Sequence, residues 1–303
     1  MSRRQAAPGA PEGGLIVDKT PGLTSHDIVA IARRSLRQPR VGHAGTLDPM
    51  ATGVLVLLLG RATRLAQFLG QDEKRYEAVV AFGQATSTCD AEGTPIGPRS
   101  DTRVERGALD AAITRYRGPQ MQTPPAVSAK KVGGHRAYDL VRAEKPVALA
   151  PAPVELHEAE IVEFDGHRAT LHVTCSAGYY VRALARDLGE ALGVGAHLHA
   201  LRRTRSGLFG LEGAVTVDAL ARGPADALAP AVLSPADLLA HLPAVVATDE
   251  GCERLGHGRP LEPVHLIGRF PGRGDARIVD QSGRLVAVAK VGSGALHPVV
   301  VLM

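Results

Sequence analysis

Val41-Gly42-His43-Ala44-Gly45-Thr46-Leu47-Asp48-Pro49-Met50-Ala51-Thr52-Gly53 runs directly into Val54-Leu55-Val56-Leu57-Leu58-Leu59 and stops at Gly60. The second half is short, continuously apolar and closed by glycine, which reads as a buried strand. The first half is a glycine-punctuated loop. Gly42, Gly45 and Gly53 admit backbone conformations closed to other residues, and Pro49 biases Asp48 away from the helical region, so one carboxylate is held on a restrained, extended turn. A fixed Asp on a loop is a candidate nucleophile. The plain alternative is that Asp48 N-caps a helix beginning at Pro49. Gly53, one turn in, and the strand-like run behind it count against that.

Outward from this loop the pattern is that of a mixed α/β (α+β) body. Leu15 to Val17 reads as a short strand, and Ser25 to Arg37 as a helix capped by Thr24 or Ser25, with Ile28, Val29, Ala32 and Leu36 on one face. Arg75 to Phe82 alternates like a strand. Val104, Ala108, Leu109, Ala112, Ile113 and Tyr116 form a helical stripe. Residues 120–155 differ in kind, with Pro124-Pro125, Lys130-Lys131, Gly133-Gly134, a short helical stretch and then Pro146, Pro151 and Pro153, and they read as an inserted arm. Val154 to Phe164 and Arg168 to Cys175 make a hairpin around Asp165-Gly166, and Tyr180 to Leu192 a helix. After an Ala-, Pro- and Leu-rich stretch from Arg222 to Pro243, short strands and turns to Met303 read as a small appended β-barrel. The expected organisation is a disordered leader at 1–13, a body at 14–242 and a terminal domain at 243–303.

Composition narrows the classes of function. Over 303 residues, Lys and Arg number 35 against 31 Asp and Glu, and the sequence pI is about 9.1. A polyanion would therefore be met by local patches: Arg33, Arg34, Arg37 and Arg40; Lys130, Lys131, Arg136 and Arg142; Arg202, Arg203 and Arg205. Each alone is an ordinary solvated face; three of them flanking unusual segments favour a nucleic acid. Cys89, Cys175 and Cys252 are too few and too scattered for a disulfide framework or a CxxC zinc site. His197 and His199 share a strand face without a third ligand nearby, so no metal is expected. Met1 to Gly14 lacks the apolar core of a signal peptide, and no run is long enough to span a bilayer, which fits a cytoplasmic chain.

Five blocks, in order and spacing, then carry a resemblance: Asp18-Lys19-Thr20-Pro21-Gly22-Leu23-Thr24-Ser25, the Gly42 to Gly53 loop, Lys74-Arg75-Tyr76, Ser176-Ala177-Gly178-Tyr179-Tyr180-Val181-Arg182, and Ala200-Leu201-Arg202-Arg203. The chain resembles the bacterial tRNA pseudouridine-55 synthases, the TruB family, over nearly its whole length. The resemblance implies a pseudouridine synthase fold: a mixed, largely antiparallel sheet flanked by helices, a thumb insertion, and a C-terminal PUA-like RNA-binding barrel. It also implies an isomerase that converts one uridine of the tRNA T-loop from an N- to a C-glycoside. The partner would be the T-arm of tRNA, with no cofactor, no membrane and no obligate protein partner, and the chain would work as a monomer.

The chemistry such a reaction demands can be set against the residues. A nucleophile that can also leave is needed, and Asp48 supplies a carboxylate; attack on the base or on the sugar stays open. By resemblance Arg182 pairs with Asp48, which would hold the carboxyl below its usual range. Tyr76 would stack on the flipped base and take its C5 proton, Tyr180 would line the pocket, Leu201 would form an apolar wall, and His43 would handle the extruded nucleotide. Lys19, Arg202, Lys130 and Lys131 are further candidate substrate contacts. Three positions depart from the family pattern: Thr20 precedes Pro21, Tyr179 stands where a small hydroxyl residue is usual, and Ala152 where an Arg is frequent. A non-catalytic RNA-binding or tRNA-folding protein, or a synthase acting on another RNA, would share much of this. The HxE and PCxxC elements of a zinc nucleobase deaminase are absent.

Overall fold

The computed structural model describes residues 9–70, 73–127, 131–132, 135–136, 149–223 and 225–303. A ten-stranded sheet carries the body. Its strands are β1 (Gly13–Lys19), β2 (Val41–His43), β3 (Thr52–Leu59), β4 (Lys74–Phe82), β5 (Gly118–Gln122), β6 (Ala152–Phe164), β7 (Arg168–Cys175), β8 (Ala196–Ser206), β9 (Val215–Thr216) and β10 (Val232–Leu233). They run β9-β1-β3-β8-β4-β7-β6-β5, with β10 also on β1 and β2 also on β3. Only β1 with β9 and β3 with β8 are parallel. The sheet is thus mixed and largely antiparallel, as the resemblance implies.

The aliphatic run of β3 is apolar at every position because both of its faces are covered. Leu55, Leu57 and Leu59 point into a core built with helices α1 (Ser25–Ser35), α2 (Arg106–Tyr116) and α3 (Val181–Ala191). Val54, Val56 and Leu58 point the other way and pack with Val288, Val300 and Leu302 of the C-terminal region. Alternate residues of a strand face opposite sides, so burial on two sides removes the polar alternation of a one-sided sheet.

Those C-terminal residues belong to a second sheet of β11 (Ala244–Ala247), β12 (Leu266–Ile267), β13 (Asp275–Val279), β14 (Leu285–Gly292) and β15 (Ala295–Val301), ordered β12-β11-β13-β14-β15. The expected barrel does not close. Strand β12 is two residues long, too short to give β15 a ladder; among the described residues the single bridge Leu261 to Leu296 reaches β15 from the β12 side. One face of this open sheet is spent on β3 instead.

Strands β5 and β6 pair antiparallel from Gly118 opposite Leu156 to Gln122 opposite Ala152. The insertion therefore leaves and returns at adjacent strand ends, with Gln120 to Gln122 and Ala152 to Glu155 inside the sheet. Lys130, Arg142 and the helical stretch expected in the arm lie outside the described residues. Lys131 and Arg136 face each other in a two-residue ladder. Of the expected leader, residues 1–8 lie outside the described ones, while Gly13 already begins β1.

Candidate active site

The second edge of β3 is shared between two strands. Its C-terminal half pairs with β2, from Leu57 to Leu59, and its first two residues, Thr52 and Gly53, pair with Arg202 and Arg203 of β8. The loop 44–51 rises at this change of partner. No helix starts at Pro49; the Ala51 amide donates to the Asp48 carbonyl at 3.1 Å and closes a turn, so the capping alternative is not realised.

Three buried polar side chains pin the loop. Ser25, the first residue of α1 behind the Thr24–Asp27 capping box, accepts from the Leu47 amide at 2.8 Å and donates to the Leu47 carbonyl at 3.1 Å. The Lys19 ammonium at the end of β1 donates to the carbonyls of Thr20, Pro49 and Ala51 at 3.0, 3.0 and 2.6 Å. From β8, the Arg203 guanidinium donates to the carbonyls of Val54, Thr46 and Gly45 at 2.8, 3.3 and 3.1 Å. A buried carbonyl without a partner is costly, so each of these cations is paired with acceptors that the irregular loop leaves over. Burial lowers the pKa of Lys19 to about 8, against the opposing pull of Asp48.

Asp48 sits at the top of this loop beside Arg182, two residues into α3. Nε of Arg182 is 2.9 Å from Asp48 Oδ2, and its Nη2 donates to Oδ1 at 3.0 Å. The same guanidinium donates through Nη1 to Asp90 Oδ2 at 3.2 Å and to the Thr88 carbonyl at 3.0 Å, and through Nη2 to the Val127 carbonyl at 2.9 Å. One cation thus bridges two carboxylates. Asp48 keeps 32% of its side chain open, against 4% for Arg182 and 5% for Asp90. The carboxyl of Asp48 is pushed up rather than held down: withdrawal from water raises it and the like charge of Asp90 adds to the push, while Arg182 and Lys19 oppose it. The expectation that Arg182 would win is corrected here, because partial burial outweighs it and it is shared with Asp90.

Asp48 and Arg182 open onto a cavity of about 250 Å³ whose wall includes Tyr76, Leu201, Tyr179, Tyr180 and Arg203. Sites for drug-sized ligands run ~300–1,000 Å³; this one suits a single base with its sugar. Tyr76 projects from β4 and Leu201, buried, from β8. The Tyr76 phenol is raised above its ordinary pKa by burial, opposed by the Arg203 guanidinium beside it. Tyr180 caps the start of α3. Tyr179 is buried in the main core and contributes to the cavity wall. Three of the expected substrate contacts fall elsewhere. His43 lies on β2, two residues before Gly45, outside the cavity wall. Lys19 is fully buried beneath the loop. Arg202 is engaged in a two-pronged pair with Asp18, at 3.1 and 2.8 Å. Lys130 lies outside the described residues, as noted above.

Ser25, Asp90 and Arg203 were not legible as site residues. Ser25 looks like part of a helix cap, Asp90 lies in a polar connection without periodicity, and Arg203 reads as one of a surface cluster. Their burial follows from long-range contacts: Ser25 against Leu47, Asp90 against Arg182 and Leu198, and Arg203 where β8 pairs with β3. Among the described residues no group of three His, Cys, Asp or Glu side chains is placed to hold a metal ion, and no helix is long and apolar enough to cross a membrane. The rings of His197 and His199 stand 6.5 Å apart.

A mixed sheet with an Asp–Arg pair beside a base-sized, tyrosine-lined cavity defines the class of pseudouridine synthases. Within that class the chain belongs to the TruB family. The model described as the TruB family pseudouridylate synthase N-terminal domain matches residues 33–181, and that of the tRNA pseudouridylate synthase B C-terminal domain matches residues 182–239. Proteins named tRNA pseudouridine synthase B from Solibacter usitatus and Mycobacterium ulcerans are 41% and 44% identical over 96% of this chain, covering 100% and 94% of their own lengths. Among solved structures, the archaeal box H/ACA sRNP Nop10–Cbf5 complex contains a chain with a TM-score of 0.74 and 27% identity, over 97% of this chain and 87% of that one. An H/ACA RNP bound to a substrate RNA containing 2′-deoxyuridine gives 0.72 and 26%, over 96% and 85%.

Proposed function

We propose that this isomerase converts a uridine in the T-loop of tRNA to pseudouridine, with Asp48 as the nucleophile. The observation that carries the reading is the side-on pairing of Asp48 with Arg182 at the mouth of the cavity. Relatives that match end to end and are named for tRNA support the substrate over a guided RNA target.

The target base must leave its stack to reach a cavity of this size. Tyr76 and Tyr180 offer it aromatic surfaces and Leu201 an apolar wall. The Asp48 carboxylate attacks the ring or the anomeric carbon, the N1–C1′ bond breaks, and the base turns so that C5 bonds to C1′. Asp48 then leaves as a carboxylate. The proton on C5 passes to a base, for which the Tyr76 phenolate, formed when the hydroxyl gives its proton to water, is the candidate, and N1 takes up a proton in exchange. No atom is gained or lost, and no electron is transferred to an acceptor.

Arg182 aims Asp48 and opposes the burial that raises its pKa. Lys19 and Arg203 act on the loop that presents Asp48, since their donors are committed to its carbonyls. The basic residues of the insertion and the C-terminal sheet, residues 243–303, would grip the tRNA backbone, and binding would then weaken with salt. We take the enzyme to act as a monomer in the cytoplasm, where its substrate is.

The test is mass spectrometry of a uridine-containing tRNA transcript incubated with purified protein. One T-loop uridine should become pseudouridine, and Asp48→Asn should bind the transcript without converting it. A transcript returned unmodified by the wild-type chain would sink the assignment.

A further inference from the structure

Gln122 is the last residue of β5 and the last to pair with β6 before the insertion departs. It is buried, 3% exposed, and both ends of its amide are spent on one residue of another element. The Tyr180 amide donates to Gln122 Oε1 at 2.8 Å, and Gln122 Nε2 donates to the Tyr180 carbonyl at 3.1 Å. A side chain here replaces the neighbouring strand that a residue in a sheet would have, and it fixes the two peptide planes that flank the Tyr180 Cα, from which α3 starts. Two further contacts follow from the same segment. Arg186 Nη2 donates to the Thr123 carbonyl at 3.2 Å, and Arg182 Nη2 to the Val127 carbonyl at 2.9 Å. The root of the insertion is therefore fastened along the first turns of α3, the helix that carries Arg182.

We infer that Gln122 is a positioning residue for the isomerisation: by clamping Tyr180 it sets the angle at which α3 delivers Arg182 to Asp48, and it ties that angle to the root of the RNA-gripping insertion. The carboxamide is suited to the task because it alone among uncharged side chains of this length offers one donor and one acceptor in a plane. An aliphatic side chain would fill the volume but remove both contacts, leaving the Tyr180 carbonyl with the Ala183 and Leu184 amides of the helix itself. The Arg182–Asp48 contact depends on angle, since two nitrogens meet two oxygens, so a small rotation of α3 costs alignment before it costs packing. The inference rests on the proposed reaction for its kinetic consequence but not for its structural one.

The experiment uses the full chain with Gln122→Met, close in volume, and Gln122→Glu, which keeps the acceptor and loses the donor. Three quantities are read: single-turnover pseudouridine formation, tRNA binding, and the ionisation of Asp48 followed by carboxyl-carbon NMR. Asp48 is faced by Arg182, Asp90 and Lys19; only Arg182 is carried by the clamped helix. Both variants should melt cooperatively and bind tRNA within about threefold of wild type, with turnover reduced roughly 10- to 100-fold and the Asp48 midpoint moved to higher pH, because the cation that opposes its protonation is misaligned. In an Arg182→Lys background, Gln122→Met should add less than about twofold, as expected when two residues act through one contact. Full, additive loss in that background would overturn the inference, as would turnover and Asp48 ionisation both at wild-type values, or failure of both variants to fold, which would make Gln122 a core residue only. A wild-type chain inert on tRNA would defeat the proposed reaction instead, and the NMR titration would still decide the role of Gln122.

Discussion

Gly53 and Arg203 lie opposite one another where β3 meets β8, so close that a Cβ on Gly53 would fall against the Arg203 carbonyl and 2.9 Å from its amide nitrogen. Gly53 also holds a φ of 96°, in the region that side chains disfavour. The strand that carries Arg203 thus reaches the loop that carries Asp48 only because this position has no side chain. Gly53→Ala should combine a backbone strain of ~1–3 kcal/mol with a forced separation of the two strands. Since Arg203 holds Gly45, Thr46 and Val54, the expected result is a lower melting temperature and a tenfold or greater loss of turnover. Calorimetry with single-turnover assays checks it; a variant of wild-type rate and stability would show that the β3–β8 contact is not what places the loop.

Asp48→Asn separates chemistry from stability. The amide keeps size and polarity but is no nucleophile, so isomerisation should vanish while tRNA binding persists. The sign of the stability change follows from the raised carboxyl. A group whose folded pKa lies above its unfolded value binds its proton more tightly in the native state, so ionised Asp48 costs stability at neutral pH and the cost fades as pH falls through the folded value. The variant should therefore be as stable as wild type or more so at pH 7, with the difference shrinking toward acid. Thermal melts across pH test this, and a marked loss of stability at pH 7 would mean that the pair with Arg182 outweighs the desolvation of Asp48.

Much of the frame could be read from residues alone, and the reasons are local. The run from Val54 to Leu59, the hairpin around Asp165-Gly166 and the stripes of α1, α2 and α3 each repeat a signal over many residues. The Asp48 turn was legible because glycine and proline restrict the backbone directly. What escaped were long-range pairings with no local trace. Arg203 carries the same charge as Arg202 next door, yet β-strand alternation sends one guanidinium under the loop and the other to Asp18. The Asp48 carboxyl moved opposite to expectation for the same kind of reason: the fold buries it, and Asp90, 42 positions away in sequence, claims part of Arg182. The open C-terminal sheet likewise follows from a partner surface on β3 that periodicity does not reveal.

Lys19 predicts an alkaline limb in the activity. Burial lowers its pKa to about 8, so its native form binds the proton less tightly than the unfolded chain. Charged Lys19 therefore costs stability below about pH 8, and the cost is relieved as pH rises from there toward 10.5. Activity should run the other way. A neutral amine has two hydrogens for the three carbonyls of Thr20, Pro49 and Ala51, which loosens the turn under Asp48, and turnover should decline as pH rises through about 8. Lys19→Met should be slow at every pH and lack this limb. A turnover profile flat to pH 10 in the wild type would dissociate Lys19 from the loop.

Tyr76 faces the cavity from β4 with its ring available to a base and its hydroxyl beside Arg203, so ring and hydroxyl can be tested apart. Stacking of a base on an aromatic ring is worth ~1–3 kcal/mol. Tyr76→Phe should thus bind tRNA nearly as well as wild type, and Tyr76→Ala less tightly. Turnover should discriminate further. Burial keeps the phenol protonated at rest, so its own proton must first pass to water, and the Arg203 guanidinium, by opposing that shift, supports the phenolate that then accepts the C5 proton. If that phenolate receives the C5 proton once the new carbon bond has formed, Tyr76→Phe stalls late: base detachment and rejoining proceed, but release of label from C5-tritiated uridine slows strongly. Tritium release measured alongside binding for both variants decides the matter, and a Phe variant that releases label at the wild-type rate would leave Tyr76 a stacking platform and assign the proton to another base.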